Sequence, residues 1–264
     1  MIELYHNAAS TCSQKVRLVL EEKGIEWASR DVDLLSGAQH DAEYVKLNPN
    51  HVVPTLVHDE HVLIESTLIN DYLDDVFPDV PMRSADPVLR HAAGLWIKRV
   101  DSKVHPAAGV ITFAIGPRAI LLQQPEEVRE RNIAAIPDPA RRAARRSVIE
   151  NGVKAPEFAG ALGQFLDLID EMDAELSPGD WLSGERFGLA DACVLPYVFR
   201  LDQMAMGSLL STETRPNVAD WYGRMQALPS YEKAVTGWLP EPIMKLFHAN
   251  GEAVWADVEP LTRR

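Results

Sequence analysis

The stretch Asn48-Pro49-Asn50-His51-Val52-Val53-Pro54-Thr55-Leu56-Val57-His58-Asp59-Glu60-His61-Val62-Leu63-Ile64-Glu65-Ser66 decides the fold. Its apolar run Val52–Val57 reads as a strand with an internal proline. Proline cannot donate to a ladder, so Pro54 marks an edge, a bulge or a special bend. His58-Asp59-Glu60 reads as a turn, and His61–Ile64 as the returning strand. Beyond Glu65-Ser66, residues Ile69, Tyr72, Leu73 and Val76 recur at i, i+3, i+4 and i+7, which predicts an amphipathic helix ending near Phe77-Pro78.

Upstream, Ile2 and Leu4 alternate with polar residues as in a short strand. After a polar loop, His6 to Thr11, a helix carries Val16, Val19 and Leu20 and closes at Lys23-Gly24, with Gly24 as its C-cap. A second strand places Val32 and Leu34 on one face, and a short helix over Asp41–Leu47 is stopped by Asn48-Pro49-Asn50. The order is β-α-β-α-β-β-α. Downstream, Pro78 to Pro87 is a proline-rich linker, with Asp86 as N-cap and Pro87 at the first helical position.

From there the period stays helical. Leu89, Ala93, Trp96, Ile97, Val100 and Val104 form one stripe; Phe158, Leu162, Phe165, Leu166, Ile169, Met172 and Leu176 a second; Val218, Trp221, Tyr222, Met225 and Leu228 a third. Pro117 to Pro156 patterns weakly and reads as an irregular excursion. The division expected is an α/β domain over 1–80, a linker over 81–87 and an all-α domain over 88–264.

A formal net charge of −13 argues against a nucleic-acid binder or an anionic membrane surface as partner. Arg141, Arg142, Arg145 and Arg146 form a local basic cluster, read as a solvated helix face. Two distant cysteines, Cys12 and Cys193, make neither a disulfide framework nor zinc spacing, so no metal is expected. The start MIELYHNAAS has no signal-peptide pattern, and no apolar run nears the roughly 18 residues a bilayer requires. A reducing cytoplasm is the expected compartment.

Three motifs carry a resemblance. Ser10-Thr11-Cys12-Ser13-Gln14-Lys15-Val16-Arg17 is similar to the Ser-Ser-Cys-x-x-x-Val-Arg signature of serine-type glutathione S-transferases. Asn48 to Leu56 is similar to that superfamily's Asn-Pro-x-x-x-Val-Pro segment, which contains a cis-proline, and Glu65-Ser66-Thr67-Leu68-Ile69-Asn70-Asp71-Tyr72-Leu73 to its Glu-Ser-x-x-Ile-x-x-Tyr-Leu. The resemblance covers nearly the whole chain and implies a thioredoxin-like N-terminal domain, an all-helical C-terminal domain and glutathione as co-substrate. Glu65–Pro87 and Ile133–Leu176 look most like the glutathione-dependent β-etherases of lignin-degrading bacteria. One departure stands out: Gly188-Leu189-Ala190-Asp191 has glycine where the family has a Ser/Thr-x-x-Asp capping box.

A free thiol has a pKa of about 8.5, so the enzyme must stabilise the thiolate. Ser10, with Thr11, Cys12 and Ser13 as alternatives, lies where a hydroxyl at a helix N-terminus would do this. By the resemblance, Val53 before cis-Pro54 pairs with the cysteinyl backbone of glutathione. Glu65 suits the γ-glutamyl amine and Ser66 its carboxylate, while Gln39 and His40 could meet the glycyl carboxylate. Trp96, His105, Ile111 and Phe113 are the electrophile-pocket candidates by analogy, with Val104, Ile115, Met244, Phe247 and Trp255 as further candidates. Three functions follow: thiolate attack on a small hydrophobic or aromatic electrophile, with aryl-ether cleavage as subtype; a thiol transferase using Cys12; or a non-catalytic glutathione-fold module. The resemblance also implies a homodimer.

Overall fold

The computed structural model describes residues 1–263. Two compact units emerge, and each gathers separated parts of the chain. The first comprises Met1–Val100, Leu176–Pro196 and Asp220–Leu239; the second takes Asp101–Glu175, Tyr197–Ala219 and the chain from Pro240 onward.

In the first unit, β1 (Ile2–His6), β2 (Trp27–Asp31), β3 (Thr55–His58) and β4 (His61–Ile64) form one sheet in the order β2-β1-β3-β4. β1 runs parallel to β2, with Leu4 opposite Ser29, and antiparallel to β3, with Leu4 opposite Leu56. Helix α1 (Thr11–Glu22) ends at Gly24, whose φ of 62° lets the Ile25 N–H reach back to the Leu20 carbonyl. Two expectations shift. The second strand is Trp27–Asp31, not the stretch bearing Val32 and Leu34; β2 is an edge strand with most of its side chains exposed, so it lacks the apolar alternation of a half-buried strand. Val52, Val53 and Pro54 lie outside the ladder, which starts at Thr55.

Helix α2 (Ala42–Leu47) is short, and α3 (Ser66–Val76) buries Ile69 and Leu73 as its periodicity requires. The linker that follows is pinned. Asp74 accepts from Lys23 Nζ at 2.7 Å, from the Met82 N–H at 2.8 Å and from Arg83 Nε at 2.8 Å. Burial alone would raise the Asp74 carboxyl, but these donors outweigh it and hold it below the ordinary value. Helix α4 (Pro87–Arg99) starts as expected: Asp86 Oδ1 accepts from the Val88 N–H at 2.7 Å, with Pro87 at the first position.

One wide turn of π-helix over Val100–Val104, whose first residue closes the leading segment of the first unit, precedes α5 (His105–Ile115) in the second. Pro106 lacks an N–H and its ring would crowd the carbonyl four residues back, and a wider turn accommodates both defects. The weakly patterned excursion is helical: α6 (Arg118–Gln123), α7 (Glu126–Ala134) and α8 (Pro139–Asn151). Its prolines mark helix starts, and Asp138 caps α8. Helix α9 (Phe158–Glu175) buries the whole predicted stripe from Phe158 to Met172.

Helix α10 (Leu189–Gln203) begins in the first unit, where α11 (Pro216–Gln226) ends and α12 (Pro229–Ala234) follows; α13 (Glu241–Val258) belongs to the second. There the α13 backbone closes on Met204: a Cβ on Gly251 would lie 1.9 Å from the Met204 carbonyl oxygen. Gly251→Ala should therefore destabilise by about 3 kcal/mol. Gly160→Ala on α9, where a Cβ would meet nothing within 4 Å, should be neutral or stabilise by about 0.5–1 kcal/mol. Urea midpoints of the two variants check the contrast. No helix among the described residues is long and apolar enough to cross a membrane.

Candidate functional site

The loop from β1 into α1 brings the first candidates together. Ser10 is the N-cap of α1, its Oγ accepting from the Ser13 N–H at 3.2 Å. Capping engages the hydroxyl as acceptor and leaves its O–H free to donate. Capping the helix and donating to a thiolate thus use opposite sides of one group. Thr11 is buried at the first helical position, and Cys12 is half-buried. Ser13 is fully buried, its Oγ receiving the Asn7 N–H at 3.3 Å.

Residues without an assigned role hold this loop in place. Asn7 Nδ2 donates to the Val32 carbonyl at 3.0 Å, and Asn7 Oδ1 accepts from the Ala9 N–H at 3.0 Å. Arg17, fully buried, donates to the carbonyls of Asn7 (3.1 Å), Ala8 (3.0 Å) and Ala234 (2.7 Å) and to His6 Nδ1 (2.9 Å). A guanidinium can only donate, so His6 accepts at Nδ1 and carries its proton at Nε2, 2.8 Å from Ser29 Oγ. Burial, reinforced by the Arg17 charge, lowers the His6 pKa to about 4, which keeps the ring neutral at physiological pH. Burial likewise lowers Arg17 to about 9, against the opposing pull of Asp31. Trp27 and Trp238 pack edge-on against His6, and Trp238 also lies under the Arg17 guanidinium at 5.3 Å. Arg17 stands in the first motif, yet two of its carbonyl partners, Asn7 and Ala8, lie in an irregular loop and the third, Ala234, closes the short helix α12, and no periodicity announces them.

The second group surrounds Pro54, where the Val53–Pro54 peptide is cis. Tyr44 Oη and Asn48 Nδ2 both donate to the Val52 carbonyl, at 2.6 and 2.9 Å, and both reach Thr55 Oγ1, at 3.0 and 3.1 Å. The approach to the proline is thereby clamped on both sides. Val53 is buried in an apolar cluster with Val32 and Tyr44. Beside it, Gln39 Nε2 donates to His40 Nε2 at 3.0 Å, so the other His40 nitrogen, Nδ1, carries the proton that faces His51 Nδ1 at 3.0 Å.

The third group starts α3. Glu65 occupies the cap position and Ser66 is the first helical residue. Glu65 makes no side-chain cap bond and holds a φ of 70°, which costs a non-glycine residue about 1–3 kcal/mol. Its exposed carboxylate accepts from Asn50 Nδ2 at 3.3 Å, joining the second and third groups. An uncapped helix start has N–H groups to offer an anion.

The electrophile candidates are not gathered in this way. Trp96 belongs to the first unit and is buried; His105, Ile111 and Phe113 belong to the second. Ile111 has no exposed surface, His105 is exposed with Nδ1 at 3.2 Å from Tyr197 Oη, and Phe113 is half-buried. Phe247 packs against Gly116 and Met244 accepts from Gln203 Nε2. Among the described residues no cluster of three or more His, Cys, Asp or Glu side chains is placed to hold a metal ion.

The capping departure is also explained. A Cβ on Gly188 would lie 2.3 Å from the Met82 carbonyl, so serine or threonine cannot stand there. The missing hydroxyl comes from Ser183, whose Oγ accepts from the Ala190 N–H at 3.0 Å, while Asp191 still reaches back to the Gly188 N–H at 3.1 Å.

Residues 9–76 match the family Glutathione S-transferase, N-terminal domain, and residues 139–224 match Glutathione S-transferase, C-terminal domain. Protein LigF of Sphingobium sp. is 29% identical over 249 residues, covering 92% of this chain and 96% of that protein. A tetrachloro-p-hydroquinone reductive dehalogenase of Sphingobium chlorophenolicum is 30% identical over 245 residues, covering 88% and 95%. The crystal structure of beta-etherase LigF from Sphingobium sp. strain SYK-6 superposes with a TM-score of 0.80, covering 88% of this chain and 98% of that one. With matching domains at both ends and relatives aligned along nearly their whole length, the chain belongs to the glutathione S-transferase family.

Proposed function

We propose that the chain binds glutathione along the Val53–Pro54 and Glu65–Ser66 edges and activates its thiol at Ser10 for attack on an aromatic electrophile, with cleavage of an aryl ether β to a ketone as the reaction. The observation that carries this reading is Ser10 Oγ at the α1 N-cap, with its acceptor side engaged and its O–H free. A thiolate placed there meets a hydroxyl donor and the positive end of a twelve-residue helix. In the reaction the thiolate attacks the β-carbon and forms the C–S bond, the bond between that carbon and the ether oxygen breaks, and the departing phenolate keeps the electron pair and takes a proton from solvent. The likeness to a beta-etherase over nearly the whole chain supports the ether as leaving group.

Glu65 and the open start of α3 suit the γ-glutamyl amine and carboxylate, and Gln39 with His40 the glycyl end. Exposed Leu68 on α3 and exposed Val88 and Leu95 on α4 support a homodimer, and two cysteines in no disulfide fit a reducing cytoplasm.

Ser10→Ala tests the assignment. It should raise the pKa of bound glutathione by about one to two units, and lower kcat/KM near neutral pH by about 10- to 100-fold. The ultraviolet absorbance of the thiolate, titrated against pH, reads the first quantity. Cys12→Ala should leave both unchanged; loss of activity at Cys12 alone, with Ser10→Ala active, would replace this mechanism by mixed-disulfide exchange.

A further inference from the structure

His6 ends β1 and hands the chain to Asn7, Ala8 and Ala9, the loop that delivers Ser10. Its own place is fixed from several sides. The Val32 N–H donates to its carbonyl at 2.8 Å, and its ring is fully buried. Trp27 and Trp238 stand edge-on to that ring, with centroids 5.4 and 4.7 Å away. If bulk were all this position required, a hydrocarbon would serve, and at no desolvation cost. The polar contacts give the imidazole a second task.

The acceptors of Arg17 differ in kind. The carbonyls of Asn7, Ala8 and Ala234 accept in any protonation state. His6 Nδ1 accepts only while it carries no proton. Arg17 Nη1 holds its two hydrogens in the guanidinium plane at a fixed angle. With one aimed at His6 Nδ1, 2.9 Å away, the other faces the Asn7 carbonyl at 3.1 Å. That carbonyl also receives the Ser10 N–H, at 3.2 Å. One ring lone pair therefore sets the rotation of the fork, and the fork holds the carbonyl to which Ser10 is tied. Ser29 on β2 completes the chain: its Oγ, 2.8 Å from Nε2, accepts the ring proton and leaves Nδ1 bare. The charge acting on the ring is that of Arg17 on α1, and Asp31 on β2 acts on Arg17 in turn.

We propose that His6, held as its neutral Nε2–H tautomer between Ser29 and Arg17, is a positioning residue that sets the Ser10 hydroxyl for the glutathione thiol. The inference rests on the transferase reading for the thiol. His6 touches no reactant and acts only through Arg17 and the loop from Asn7 to Ala9.

The test compares His6→Leu with His6→Asn. The two side chains share one branched shape and forfeit the same ring packing, but asparagine Oδ1 can stand where Nδ1 stood and accept from Arg17. His6→Leu should weaken glutathione binding about fivefold and raise the pKa of the bound thiol by about half a unit. His6→Asn should keep the affinity within about twofold of wild type. Calorimetric titration and the ultraviolet absorbance of the thiolate read the two quantities. Equal losses in both variants would mean that the ring matters only as packing, and overturn the proposal. Amide exchange at Ser10 and Ser13 reads the loop without glutathione, and should quicken in His6→Leu and stay near wild type in His6→Asn. If wild type binds no glutathione while exchange follows that order, the transferase reading fails and the hold of His6 on the loop stands. Nuclear magnetic resonance of the ring nitrogens in the wild-type protein needs no variant, and decides the point should neither variant fold. It should show Nε2 protonated and Nδ1 bare at neutral pH, with the second proton arriving only near a pH of about 4. The opposite tautomer, or a charged ring at neutral pH, overturns the proposal.

Discussion

Asp191→Ala is expected to unfold the protein or cost it more than about 4 kcal/mol. The carboxylate has no exposed surface and accepts four hydrogen bonds: from the N–H groups of Leu182 (2.9 Å), Ser183 (3.1 Å) and Gly188 (3.1 Å) and from Trp221 Nε1 (2.8 Å). Burial pushes its pKa up even so, which shows how deeply the charge is withdrawn from water. Removing it strands four buried donors at once, and each stranded group costs about 1–3 kcal/mol. Ser183→Ala, which removes the surrogate cap of α10, should cost only about 1 kcal/mol. Thermal and urea unfolding followed by circular dichroism ranks the two variants. Comparable losses in both would overturn the assignment of this corner chiefly to the carboxylate.

Arg17→Met should destabilise by at least about 3 kcal/mol, lower Tm by about 6–12 °C and weaken glutathione binding by about tenfold. The methionine fills part of the space but takes this donor from the carbonyls of Asn7, Ala8 and Ala234 and from His6 Nδ1, and leaves the Asn7 carbonyl with the Ser10 N–H alone at 3.2 Å. Two of those carbonyls belong to the loop that presents Ser10, so the stability loss and the affinity loss share one cause. Relief of a desolvated charge offsets part of the cost, which is why the expected figure lies below the simple sum over the acceptors that lose their donor. Arg17→Lys retains the charge without the fork and should lie between. Calorimetric unfolding, paired with glutathione titration of the same samples, decides the point. A variant within about 1 kcal/mol of wild type, with unchanged affinity, would remove Arg17 from any positioning role.

The sequence makes the central frame legible because its signals there are local. The helix after Ser66 shows in Ile69, Tyr72 and Leu73, and the start of α4 in Asp86-Pro87. Each is read within a few residues. β2 is misplaced because an edge strand need not alternate, and Val32 just beyond it is the buried residue. The excursion after Pro117 reads as irregular because proline breaks a helix from within but also begins one, and Pro139 does the latter. The Gly188 cap is opaque for a different reason: its substitute hydroxyl comes from Ser183 and its steric cause from Met82, which nothing in the four-residue motif indicates.

The candidate site divides in the same manner. Ser10, Pro54, Glu65 and Ser66 stand in motifs and can be singled out by position. The arrangement around them depends on Tyr44, Asn48 and Asn7, polar residues whose partners are fixed only once the loops have folded. The basic cluster on α8 is not one solvated face: Arg145 lies over the Phe113 ring, and only the packing of α8 against α5 separates it from the other three arginines.

The hydrogen bond from Arg17 to Ala234 spans 217 positions of the chain. At about 5–20 residues per second, a ribosome that has just delivered Arg17 needs about ten to forty seconds to supply the other end. During translation the emerging β-α-β segment therefore carries an arginine whose final acceptor has yet to be made. Chaperone capture of nascent chains stalled before and after residue 234 should differ for this reason, and truncated expression of the leading segment alone would leave that arginine permanently short of a partner.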